Sequence, residues 1–156
     1  MAVIIQKATL GDLADIQNLN NQLFELEIAN FDPDLIPGWP LTDAGEAYFR
    51  EIIENNFVLV AKDNGKTVGY FAGTIDIKIQ ITKGKLAEAD HMFVLESHRG
   101  KGVGRMFFDA FVRECLKENA TDIRVTASAK NFDAVAAYEK WGFLPKNVTL
   151  NYKVEG

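Results

Sequence analysis

The sequence holds a single cysteine, Cys115, which excludes an internal disulfide and fits a reducing compartment. Cys115 falls on the apolar side of an expected helix, where it reads as a packing residue. Histidine is also scarce. His91 and His98 stand seven residues apart without a compact cluster of further ligands, so no metal site is expected. Basic residues are outnumbered, 17 Lys and Arg against 22 Asp and Glu, for a formal net charge of −5. That balance argues against broad nucleic-acid binding. No apolar run approaches the ~20 residues needed to span a bilayer, so no membrane partner is expected. Residues 1–7 lack the basic start and apolar stretch of a signal peptide, and the expectation is a cytoplasmic protein.

Against these absences stand 156 residues, 47% apolar and 25% charged, enough for one domain over 1–156 with a sizeable core. Eleven phenylalanines supply much of its volume. Residues 2–7 read as a strand. Residues 10–29 carry Leu13, Ile16, Leu19, Leu23 and Leu26 at helical spacing, with Thr9 placed to cap them. Pro33, Pro37, Gly38 and Pro40 make 31–40 a loop, and a second helix is expected over 43–55. Strands follow at 57–62 and 67–80, joined by Asp63-Asn64-Gly65-Lys66, the chemistry of a hairpin turn. Another strand covers 86–95. Then come a helix over 102–119, a short strand over 122–127, a helix over 132–140, an extension at 143–144 and a closing strand over 148–154. This order predicts an α/β fold with one mixed sheet.

Between the strand over 86–95 and the next helix the chain reads Arg99-Gly100-Lys101-Gly102-Val103-Gly104-Arg105. Glycines at alternate positions leave main chain that a ligand can approach closely. A helix N-terminus adds N–H donors lacking acceptors and the positive end of a dipole, and three cations flank it. Such a turn suits a phosphate or diphosphate. It is not a dinucleotide-binding turn, because Arg105 stands where the third glycine belongs, nor a P-loop, because Gly102 follows Lys101.

The turn in this element order resembles the GCN5-related N-acetyltransferase (GNAT) superfamily. Its acyl-CoA signature falls on Arg99, Gly102 and Gly104, preceded by the segment 92–98. A second block, Asn131, Ala134, Tyr138, Gly142 and Phe143, follows the family pattern without omission. The likeness is specific over about 57–144 and only topological over 1–56, where the amine is usually chosen. It implies a mainly antiparallel mixed sheet, about four flanking helices, and fourth and fifth strands that splay apart. It also implies transfer of acetyl from acetyl-CoA to a primary amine, on a small molecule or a peptide, directly in a ternary complex. A non-catalytic acyl-CoA-binding or sensing module is the alternative, and a homodimer is a common family arrangement.

By the same resemblance, the main chain of Arg99, Gly100, Lys101, Gly102, Val103, Gly104 and Arg105 would hold the CoA diphosphate. Met92, Phe93 and Val94 would bond the pantetheine arm through their backbone, with the Val94 N–H or its neighbour as oxyanion donor. Tyr138 would point its hydroxyl at the sulfur. Asn131 reads as a helix cap and would also touch the cofactor. An alkyl amine with a pKa of about 10.4 costs roughly 4–5 kcal/mol to deprotonate at pH 7, so a base is useful. Glu88 is the candidate, with Asp90 expected on the same strand face by period-two alternation; the pair reads equally as ordinary exposed carboxylates. His91 is expected on the opposite face, in a structural or exposed role. His98 is expected to add to the polar surroundings of the turn. Thr126 stands where members acting on ribosomal-protein N-termini often carry Glu, a departure from that substrate class. Glu25, Glu27, Asp32 and Asp34, followed by Trp39, would favour a cationic amine if their loop rims the site; otherwise they are a solvated acidic helix end.

Overall fold

A computed structural model describes residues 2–77 and 81–155, in two compact units, Met1–Thr126 and Ala127–Gly156. Strands β1 (Val3–Lys7), β2 (Phe57–Asp63), β3 (Lys66–Ile77), β4 (Leu86–Val94) and β5 (Asp122–Val125) form one sheet of the first unit in chain order. The three pairings from β1 to β4 are antiparallel, and β5 joins parallel to β4. The last three positions of the strand expected over 67–80 lie outside the described residues.

Both faces of this sheet are covered. On one lie α1 (Leu13–Asn30) and α2 (Asp43–Asn55), whose Ile16, Leu19, Phe49 and Ile52 pack on Val58, Val60, Tyr70, Ala72 and Phe93. On the other lies α3 (Val103–Lys117), whose Phe107, Phe111 and Cys115 pack on Leu59, Ala61, Phe71 and Ala87. Successive β2 residues thus meet different helices, which is why that strand is apolar without alternation. Gly73 lets α3 close in: a Cβ there would fall 2.5 Å from Cε1 of Phe111. Thr9 caps a 3₁₀ turn over Leu10–Asp12 that leads into α1, in a reciprocal capping box with Asp12. Cys115 is buried, as its place on the helix implied.

Two details of the sheet shape the site. First, β5 pairs with β4 only from Leu86 to Ala89, so from Asp90 onward β4 has no β5 residue beside it and the two strands part. Second, the β3–β4 register runs Ala72 to His91 and then Gly73 to Ala89, leaving Asp90 as a bulge.

The second unit contains α4 (Phe132–Lys140). Asn131 caps it, its Oδ1 accepting from the Ala134 N–H at 3.2 Å. At the other end Gly142 has φ 104, its N–H donates to Glu139, and the Phe143 N–H reaches back to the Tyr138 carbonyl. This is a Schellman closure, and the Phe143 ring packs against Tyr138 at 5.6 Å. The expected strands at 143–144 and 148–154 are not formed. Val148, Leu150, Tyr152 and Val154 keep their alternation but are 85–90% exposed. Alternation supplies an apolar face, not the hydrogen-bonding partner a strand also needs.

Candidate active site

The 92–105 segment assembles from the main chain outward. Leu95 N–H bonds to the Val68 carbonyl at 2.8 Å. By strand alternation the main-chain groups of Phe93 also point to β3, while those of Met92 and Val94 point to the side that β5 has left. After the 3₁₀ turn Glu96–His98, Gly100 (φ 71) and Gly102 (φ 85) adopt left-handed backbone with Lys101 between them. Alternating φ signs turn successive N–H groups toward one side. Gly102 is the N-cap of α3, its carbonyl accepting from Met106. Among the described residues, the N–H groups of Gly100, Lys101, Gly102, Val103 and Gly104 find no acceptor. A row of donors at a helix N-terminus is complementary to a phosphate.

Two of the three cations, Arg99 and Lys101, brace the turn rather than reaching from it. Arg99 Nε donates to the Val94 carbonyl at 2.8 Å and its guanidinium lies over the Phe93 ring. Lys101 Nζ donates to the Ser97 carbonyl at 2.9 Å, and Arg105 pairs with Asp109 on the surface of α3. Their positive charge remains near the donors.

On the α1–α2 face, the Asp90 bulge changes which side chains meet. It resets the alternation, so Glu88, Asp90 and His91 share that face, and the expectation that His91 points away is corrected. Glu88 is gripped by the Arg124 guanidinium from β5, Nε donating to Oε2 at 2.6 Å. Asp90 instead accepts the Thr74 hydroxyl at 2.6 Å, and Thr74 accepts from Asn56 Nδ2 at 3.2 Å. Asp90 as a whole is exposed, yet its carboxyl is pushed up to about 6 by partial loss of hydration, opposed by the Thr74 bond and assisted by Glu88.

His91 lies inward of this pair. Its Nε2 meets the Tyr48 hydroxyl at 2.7 Å, its Nδ1 lies 3.5 Å from Asn20 Nδ2, and Asn20 donates to Tyr70 at 2.6 Å. Burial pulls His91 down to about 4, so it is neutral at pH 7. Burial, then Asp90 and Glu51, push Tyr48 up to about 12. This polar line was not legible from the sequence, since its members come from α1, α2, β3 and β4.

Trp39 stacks on Phe24 at 6.1 Å and leans on Tyr48 at 5.8 Å, so the proline-rich loop closes onto α1 and α2. Of the acidic residues near it, Glu25 lines a cavity of about 280 Å³ with Gln22, Leu26, Phe93, Glu96 and Arg99. In the second unit, Tyr138 is set on α4 against Trp141 and Phe143. Among the described residues no group of His, Cys, Asp and Glu could hold a metal, and no helix is long and apolar enough to cross a membrane.

The profile of the acetyltransferase (GNAT) family matches residues 20–143, and the chain belongs to that family. It is 23% identical over 135 residues to a putative ribosomal protein bS18-alanine N-acetyltransferase of Bacillus subtilis, covering 85% of this chain and 79% of that one. Its fold is that of aminoglycoside N-acetyltransferase AAC(6')-Iy in complex with CoA, with TM-score 0.77 at 19% identity over 97% of this chain and 94% of the other. A transcriptional regulator from Bacillus halodurans has TM-score 0.74 at 21% identity, over 97% and 99% of the two chains.

Proposed function

We propose that this protein is a single-domain N-acetyltransferase that moves acetyl from acetyl-CoA to a primary amine in a ternary complex. One observation carries the reading: five consecutive N–H groups without acceptors, from Gly100 to Gly104, sit at the N-terminus of α3 and follow a strand whose outer edge is open. The residues fit the diphosphate of acetyl-CoA, which supplies an activated acetyl thioester when bound. Main-chain groups of Met92 and Val94 would bond the pantetheine arm, and the Val94 N–H would face the developing oxyanion.

Asp90 takes the proton from the amine. Its carboxyl stands near 6, ionised at pH 7 yet more basic than an ordinary aspartate, which suits a general base. Glu88, the sequence candidate, has its Oε2 held by Arg124, so the guanidinium balances its charge and it ties β4 to β5 beside Asp90. Tyr138 would donate to the departing sulfur, and Asn131 would combine its capping with a cofactor contact. The acceptor class is a primary amine carrying positive charge; two of the proteins above are named for a ribosomal-protein alanine and for aminoglycosides, and both kinds belong in the test.

The test is free-thiol release from acetyl-CoA across a library of peptide N-termini, aminoglycosides and polyamines, with Asp90→Asn beside the wild type. Acceptor-dependent release that falls about 100-fold or more in Asp90→Asn, with acetyl-CoA binding kept, is the expected result. Binding without release from any amine would favour a sensing module instead.

A further inference from the structure

Segment 95–102 holds its donors in an arrangement that water or a looser backbone would otherwise relax, so something must fix it. Its start is pinned where Leu95 bonds to Val68 of β3. A second attachment comes from side chains. His98 Nε2 meets Asp63 Oδ2 at 2.8 Å, and His98 Nδ1 meets Ser97 Oγ at 2.8 Å. These side chains are largely shielded, at 16% exposure for His98 and 21% for Asp63, so solvent competes weakly for the bond. Asp63 ends β2 at the tight turn through Asn64 (φ 49) and Gly65 (φ 78). That turn belongs to the paired β2–β3 ribbon, a rigid support. Beyond His98, the segment is held by Arg99 and Lys101 reaching back to carbonyls at 94 and 97.

We propose that Asp63 and His98 form a clasp that fixes the diphosphate turn to the β2–β3 hairpin, making both positioning residues for acetyl-CoA capture. The inference rests on the reading of that turn given above. Neither side chain belongs to the row of main-chain donors. The clasp acts by preorganisation: the turn is ordered before the ligand arrives, so less binding free energy is lost in ordering it. Its signature is therefore a change in acetyl-CoA affinity with the chemical step intact.

Acetyl-CoA binding is measured by titration calorimetry on the full chain for wild type, Asp63→Ala, His98→Phe and Asp63→Asn, with a thermal transition recorded for each. Asp63→Ala and His98→Phe remove the bond from opposite sides, so whichever folds reports on the clasp. The expected result is a Kd for acetyl-CoA raised about tenfold, equal to about 1.4 kcal/mol, in both. Asp63→Asn keeps an oxygen acceptor for His98 and stays within about twofold of wild type. In turnover, KM for acetyl-CoA rises in step while kcat at saturating acetyl-CoA and KM for the amine hold. Wild-type affinity in folded Asp63→Ala or His98→Phe overturns the clasp alone. A wild-type protein that binds no acetyl-CoA overturns the reading of the turn and the clasp together.

Discussion

Thr74 of β3 donates its hydroxyl to Asp90 of β4 at 2.6 Å, and Asn56 at the end of α2 donates to the same hydroxyl oxygen. The bond favours the ionised carboxyl, so removing it makes Asp90 harder to ionise. In Thr74→Val the acidic limb of the kcat/KM–pH profile moves upward from about 6, and activity at pH 6 falls several-fold. Thr74→Ser keeps the donor and the wild-type limb. A profile that stays in place in Thr74→Val removes Asp90 from the proton transfer.

Gly102 and Gly104 differ in what they do. Gly102 has φ 85, where an L side chain costs about 1–2 kcal/mol, so Gly102→Ala loses both stability and acetyl-CoA affinity. Gly104 lies within α3, where alanine is favoured over glycine by roughly 0.5–1 kcal/mol. Gly104→Ala is expected to raise the melting temperature while weakening acetyl-CoA binding, and Gly104→Val weakens it further than Lys101→Ala does. Equal losses in a titration of the last two would mean that bulk at the main chain is not what matters.

His91 makes stability depend on pH with a definite sign. Burial lowers it to about 4 in the folded chain, against about 6.5 when unfolded. Between those values the unfolded state binds more protons, so stability drops as pH falls through the window, by on the order of 3 kcal/mol in all. Asp90 works in the opposite direction: raised from 3.8 to about 6, it takes up protons in the folded state first, and stability drops as pH rises over that range. The wild type is thus expected to show a flattened profile between about pH 4 and 6. Asp90→Asn removes the opposing carboxyl and steepens it. Urea titrations of both proteins across this range decide the matter, and parallel profiles would show that the two groups are not the ones titrating.

Tyr138→Phe keeps the ring contacts to Trp141 and Phe143 and removes only the hydroxyl. Turnover is expected to fall with acetyl-CoA affinity held. The loss should be larger for a thioester whose leaving thiol is more basic, as befits a proton donor. Undiminished turnover takes Tyr138 out of the chemistry and leaves it as part of the α4 closure.

The features legible in the sequence are those written in local stretches. The glycine turn and α3 behind it follow from spacing, and so does α4, bracketed by its Asn131 cap and Gly142. What escaped depends on partners distant in the chain. The bulge at Asp90 exists because β3 offers one residue, Ala72, where β4 has two, and period-two reasoning on β4 alone puts His91 on the wrong face. Glu88 reads as a free carboxylate until Arg124, from β5, is placed against it. The alternation over 148–154 is as regular as any in the chain, yet nothing within those residues says whether another strand will lie beside them.

The extra residue in β4 has a wider consequence. Below it, the strand is paired with β5 and presents Glu88; above it, the strand is open on that side and leads to the glycine turn. Deleting residue 90 would restore plain alternation from Ala89 to His91 and leave His91 on the face it already occupies, so the extra residue places a carboxyl beside Glu88 without turning the strand that leads to the glycine turn.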